Sequence, residues 1–268
     1  MSGLGTNVRF SQSSLSTFYT CRRRFWLRYV QRIEWPASLT SEMAGWETAL
    51  QRGASFHHWM HQAGIGVDVK TAVGSQGDEL LVHWWNNWCN HPPDIPDGHT
   101  FSEVQLSVPL QAHRLVAQFD RLVVTADDRI YIGDWKTGRA RPQQAVYAQS
   151  WQTRVYRYVA AEVGTSLIGR GIVPPENVVL VYWHANDPHA LQPIYYSREE
   201  HETAREELEA AVREISELPL IAEAFPQCTD TNECKRCIYA ALCERGLSLR
   251  IEPDEEERLE EDESDGLW

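Results

Sequence analysis

Asp120 stands fourteen residues ahead of Asp134-Trp135-Lys136, and this spacing carries the sharpest chemistry in the chain. Asp120 closes the apolar segment Leu115–Phe119 and Asp134 closes Ile130–Gly133, with turn residues near Asp127-Asp128 between them. Adjacent antiparallel strands would set the two carboxylates side by side. Such carboxylates repel unless a cation lies between them, and hard oxygen donors suit Mg2+ or Mn2+. Lys136 follows Asp134 by two residues, so the strand pleat sends both to one face. The chain has three lysines against 22 arginines, which marks this lysine out. An ammonium beside a bound cation can orient an attacking water and offset charge developing on a phosphoryl group.

Further candidates flank this pair. Gly53-Ala54-Ser55-Phe56-His57 supplies an imidazole that could complete the metal shell. His58 and His61 lack the glutamate that a zincin helix needs after its first histidine, and they read as core or surface residues. Gln152 and Tyr156 sit one helical turn apart, opposite a core face of Trp151 and Val155, where they could meet a phosphate or the lysine. Cys234, Cys237 and Cys243 place three thiols within ten residues. A fourth ligand is open between two choices. Cys228 would close a local zinc site, whereas the distant Cys21 would close an iron–sulfur site.

The elements that position these residues follow from periodicity. A helix is expected from Ser13 to Arg32, capped by Ser11 or Ser13, with Cys21 on its inward face between Phe18 and Phe25. Others are expected at Glu42–Gln62 and Gly77–Asn90, the latter stopping in the Pro-rich loop His91–Gly98. Phe101–Leu110, Leu115–Thr125 and Arg129–Trp135 read as consecutive strands. Helix returns at Pro142–Val163, then strands at Val178–His184 and Gln192–Tyr196. A long helix opens on a Ser197/Glu200 capping box. The order gives one mixed α/β domain over residues 1–251, with a Cys-rich module at 219–245 and an acidic tail at 252–268 expected to stay disordered.

The net charge of −13 argues against a general polyanion binder until it is divided along the chain. Residues 252–268 alone carry −9, while residues 1–33 hold six arginines and no acid. Arg9, Arg22, Arg23, Arg24, Arg28 and Arg32 could form a basic path for a nucleic-acid backbone. No apolar run reaches the roughly 20 residues of a membrane span, and Met1–Ser16 has no signal-peptide core. The expectation is a cytoplasmic protein with reduced thiols. A motor is excluded in this sequence, which has no Gly-rich Walker lysine loop.

Taken together, Leu15–Phe25 with Cys21, Gly53…His57, Asp120-Arg121, Asp134-Trp135-Lys136-Thr137-Gly138, Gln152…Tyr156 and the Cys234/Cys237/Cys243 set resemble the PD-(D/E)XK nuclease superfamily. The resemblance is to its RecB-like, iron–sulfur branch, which includes CRISPR-adaptation exonucleases and recombination helicase-nuclease domains, and it runs from Leu15 to Cys243. It implies a restriction-endonuclease-like core, a mixed central sheet flanked by helices. It implies that His57, Asp120 and Asp134, with the carbonyl of Trp135, bind a catalytic Mg2+ or Mn2+. Asp120, Asp134 and Lys136 would be catalytic, supported by Gln152 and Tyr156, with Glu103 in a lesser role. Cys21, Cys234, Cys237 and Cys243 would hold a 4Fe–4S cluster joining the C-terminal module to the first helix. The implied function is a metal-dependent deoxyribonuclease, of exonuclease type, in DNA repair, recombination or CRISPR adaptation. Its partners would be single-stranded or end-containing DNA and a helicase or adaptation-complex protein. The competing readings are a zinc-stapled scaffolding subunit that cuts nothing and a nuclease directed at RNA.

Overall fold

The computed structural model describes residues 4–34, 41–75, 77–138, 143–169, 173–189 and 192–245, and the acidic segment 252–268 lies outside them. A two-residue strand, β1 (Arg9–Phe10), leads into α1 (Gln12–Thr20). Ser11 caps α1 reciprocally with Ser14, each hydroxyl accepting from the other's backbone N–H. The helix expected to reach Arg32 breaks at Cys21, which is extended (φ −156°, ψ 108°), and resumes as α2 (Arg22–Phe25) and a π turn (Trp26–Val30). The break has a partner: the Arg23 N–H donates to the carbonyl of Pro226 at 3.0 Å, so a distant segment satisfies the backbone that the helix releases.

Next come α3 (Ser41–Gly64), α4 (Lys70–Gly74) and α5 (Glu79–Asn90), the last capped by Asp78. The strands β2 (His99–Leu110), β3 (His113–Val124) and β4 (Ile130–Lys136) follow as expected, the first two slightly longer and the third shifted by one residue. The single helix expected from 142 is instead α6 (Gln144–Gln149) and α7 (Trp151–Ile168) among the described residues. Ser150 is extended between them and caps α7 through Thr153. Strands β5 (Val178–His184) and β6 (Ile194–Tyr195) precede α8 (Arg198–Glu217), which carries the Ser197/Glu200 capping box. Residues 219–245 form only short 3-10 turns.

The six strands make one mixed sheet. β4 and β5 run parallel, and every residue of β5 is buried, as a central strand requires. On one side, α7 and α8 pack Val155, Val159, Leu208 and Val212 against Leu122, Ile130, Ile132 and Leu180. On the other, α3 and α5 supply Phe56, Trp59 and Trp84 to a second core containing Trp135 and Trp183. Gly133 permits this aromatic layer: a Cβ there would come within 2.5 Å of the Trp135 ring.

One edge of β3 pairs with β2 in register from His99↔Val124 to Leu110↔His113, interrupted only between Ser102↔Arg121 and Val104↔Phe119. The other edge is shared. β1 occupies its start, at Arg114 and Leu115, and β4 its end, at Arg121–Val124. Between those two partners the sheet forks, and Asp120 lies at the mouth of the fork.

Candidate active site

Two strands change face at the fork. The core-facing residues are Val108 on β2 with Leu115, Ala117 and Phe119 on β3, but beyond it they become Phe101 and Leu122, one residue out of step. Glu103 marks the kink with a left-handed backbone (φ 52°), a costly conformation for a side chain of this type. The β2–β3 register sets Glu103 opposite Asp120, because its neighbours pair as Ser102↔Arg121 and Val104↔Phe119. Directly opposed carboxylates are unfavourable unless something positive lies between them.

A cation can lie there. His57, Glu103 and Asp120 offer one ligand atom each, all within 4.8 Å of one another. His57 comes from α3 and its Nδ1 is 3.3 Å from Asp120 Oδ1. Asp120 Oδ2 accepts the Trp135 backbone N–H at 2.7 Å, so the carboxylate takes the place of the ladder bond lost at the fork. In an extended strand the C=O of a residue points to the same edge as its N–H, which turns the Trp135 carbonyl toward the fork as well. One imidazole with several hard oxygens fits a divalent cation of the Mg2+ or Mn2+ kind. His61, one turn beyond His57, is not one of that ligand group and bonds Ser102 Oγ at 3.0 Å, which braces the kink.

Asp134 sits one step past the last β3–β4 pair, Arg121↔Gly133, on the α7 side of the sheet. It is only 3% exposed and Lys136 only 4%. Lys136 Nζ lies 3.2 Å from Asp134 Oδ2 and donates to Gln152 Oε1 at 2.9 Å, while Gln152 Nε2 donates to Asp134 Oδ1 at 3.0 Å. These contacts close a ring of three side chains whose geometry fixes which way the Gln152 amide points. Gln152 meets the lysine, as its position allowed, but neither it nor Tyr156 lies on a solvent-facing side: both are buried. The start of α7 faces the Asp134 end of the sheet, so its polar residues look inward and Trp151 outward, stacked on Tyr19 at 5.0 Å. Burial, and then the charges of Asp134 and Asp120, push the Tyr156 hydroxyl well above its ordinary range, so it stays protonated as a donor.

Burial and the neighbouring Asp120 charge raise the Glu103 carboxyl, with His57 pulling it back. A group raised in this way must give up its proton to ligate a cation, so metal binding strengthens as pH rises. Mg2+ or Mn2+ should therefore raise the melting temperature more at pH 8 than at pH 5. An increment that does not change with pH would remove Glu103 from the ligand set.

The cysteines also converge. Cys21, Cys228, Cys234, Cys237 and Cys243 line one cavity, with Arg24 and Arg245 beside them. Cys21 reaches it from the extended break between α1 and α2, and not from the inward face of a continuous helix. Cys228 Sγ is 3.7 Å from Cys234 Sγ, and Arg245 Nη1 donates to Cys234 Sγ at 2.9 Å. Burial pushes the Cys237 thiol up to about 11, and burial together with Cys21 pushes Cys228 up to about 12. Arg22 is ion-paired with Glu214, and Arg24 lies beside the thiols.

The fold and the site define a nuclease. The family model of the PD-(D/E)XK nuclease superfamily matches residues 9–244, and the chain belongs to that superfamily. Its mixed sheet between helical layers is the restriction-endonuclease-like core. No curated protein matches the sequence. Among solved structures, a provisionally named exonuclease from Eubacterium rectale is 11% identical with a TM-score of 0.46, over 82% of this chain and 84% of its own. The protein SSO0001 is 13% identical with a TM-score of 0.37, over 90% and 87%. At those values neither adds to the family match.

Proposed function

We propose that this chain is a Mg2+- or Mn2+-dependent deoxyribonuclease of the RecB-like iron–sulfur branch. It would act as an exonuclease on single-stranded or end-containing DNA in repair, recombination or CRISPR adaptation, with a helicase or adaptation-complex partner. The observation that carries the reading is the juxtaposition of a three-residue cation site, His57, Glu103 and Asp120, with the buried Asp134–Lys136–Gln152 ring. His57, Asp120, Asp134 and the Trp135 carbonyl would hold the cation, with Glu103 joining them. When bound, the cation supplies a Lewis acid for the phosphodiester and a more acidic water. Lys136 orients that water and offsets charge on the phosphate oxygens, and Gln152 holds the lysine. Tyr156 remains a neutral hydrogen-bond donor beside the carboxylates. The aromatic layer under Trp135 seals the opposite face of the strand from solvent.

Cys21, Cys234, Cys237 and Cys243 would hold a 4Fe–4S cluster as a structural staple, and an all-sulfur donor set in one cavity suits it. A local zinc site closed by Cys228 is the second reading, favoured by its 3.7 Å approach to Cys234. No helix among the described residues is long and apolar enough to cross a membrane. A cytoplasmic location would suit both the DNA substrate and the reduced thiols.

The test is digestion of end-labelled single- and double-stranded DNA, with RNA in parallel, in Mg2+, Mn2+ or EDTA. Short products released from labelled ends, with loss in EDTA, are expected. Binding without cleavage in either metal would favour the scaffolding reading, and cleavage confined to RNA would redirect the substrate.

A further inference from the structure

We propose that Tyr182, on β5, is the positioning residue for Lys136, holding the lysine through Gln152 with its hydroxyl and beneath the ammonium with its ring. The proposal rests on the nuclease reading of Lys136. The parallel β4–β5 register pairs Asp134 with Tyr182 and Lys136 with His184, which brings all four side chains to the α7 face of the sheet. Tyr182 is 3% exposed, so its hydroxyl must find its partners inside the protein.

Proton accounting assigns its direction. Thr153 has one hydroxyl proton and gives it to the Tyr147 carbonyl at 2.6 Å. The 2.8 Å contact between Thr153 Oγ1 and the Tyr182 hydroxyl is therefore donated by the tyrosine. The same proton is shared with Gln152 Oε1, the longer arm of a bifurcated bond at 3.3 Å, and that oxygen also accepts from Lys136 Nζ. Tyr182 thus tethers the Gln152 carbonyl oxygen on the lysine side while the amide nitrogen is held by Asp134. Its ring contributes separately: Lys136 Nζ lies 5.6 Å from the ring centroid, within cation–π range. Tyr147 stacks on the ring at 4.4 Å and bonds His184 Nε2 at 2.8 Å, which holds the tyrosine in place from the next strand position.

Hydroxyl and ring separate in two variants. Tyr182→Phe keeps the ring and its stack on Tyr147, and Tyr182→Leu removes both. In Tyr182→Phe, kcat on DNA should fall about tenfold while KM and melting temperature stay near the wild-type values. In Tyr182→Leu, kcat should fall further. A readout independent of cleavage comes from lysine side-chain NMR. With three lysines in the chain, the Lys136 ammonium signal is assigned by its loss in Lys136→Met. Hydrogen exchange at that ammonium should quicken in both Tyr182 variants. Wild-type kcat and wild-type exchange in a folded Tyr182→Phe would overturn the proposal. Wild-type protein that cleaves neither DNA nor RNA would overturn the nuclease reading instead, and the NMR arm still decides what Tyr182 does for Lys136.

Discussion

Lys136→Met and Asp134→Asn are each expected to lower kcat at least about a hundredfold, the usual cost of removing one preorganised charge-stabilising group. The choice of substitutions matters because both side chains are almost wholly buried and paired with each other. Any neutral residue at either position leaves the other charge without its partner, at a cost of about 3–5 kcal/mol in stability, and alanine would add a cavity that Met and Asn avoid. A double variant, Lys136→Met with Asp134→Leu, removes both charges together and should melt near the wild-type temperature while remaining inactive. Calorimetry alongside a gel-based cleavage assay separates the two effects. Cation-dependent cleavage by folded Lys136→Met protein would show that the lysine is structural and nothing more.

Cys21→Ser has the second large expected effect. Anaerobically purified wild-type protein should be brown, with iron and acid-labile sulfide in near equal amounts. The Cys21 variant should be colourless, less soluble and less stable by several kcal/mol, since the link it breaks closes a loop of more than two hundred residues. Cys228→Ser should keep the colour. The link is not held by sulfur alone: Phe225 stacks on Phe25 and Trp26, and the Tyr239 hydroxyl donates to the Ile33 carbonyl. The Cys21 variant should thus loosen the C-terminal segment without detaching it. Colourless wild-type protein with stoichiometric zinc would hand the site to Cys228 and its three neighbours.

Much of the architecture could be read from the chain because apolar periodicity survives wherever a strand or helix has a plain inside and outside. The strand Val178–His184 agrees to the residue, and the Ser197 capping box lies where its side chains predict. Asp120 and Asp134 were legible as carboxylates that interrupt apolar strand runs for the same reason, although both lie inside their strands. What failed was local. Glu103 carries only the lesser role that the resemblance implies, because the register that sets it opposite Asp120 depends on a tight turn between Leu110 and His113. A two-residue turn at Gln111-Ala112, with Gln111 left-handed, would have revealed it. The breaks at Cys21 and Ser150 were invisible because each is stabilised by a tertiary or capping bond and not by a Gly or Pro. Gln152 and Tyr156 were legible as partners for the lysine, and what their polarity hid was their burial, since polar residues on a helix normally mark solvent. Tyr182 sits in a run of apolar and aromatic residues, where a hydroxyl with a task looks like filling.

The packing of residues 219–245 on the first helices also has a consequence in time. A ribosome adding about 5–20 residues per second needs on the order of ten to forty seconds to pass from Cys21 to Cys243. Throughout that interval Phe25 and Trp26 have no Phe225 to cover them, and the Cys21 thiol waits without its neighbours. The sheet can meanwhile assemble from β1 to β6, since every strand precedes α8. Biosynthesis therefore puts the cleft together first and closes the thiol cavity last, so a nascent chain stalled near its end would carry a finished sheet and an exposed aromatic seam.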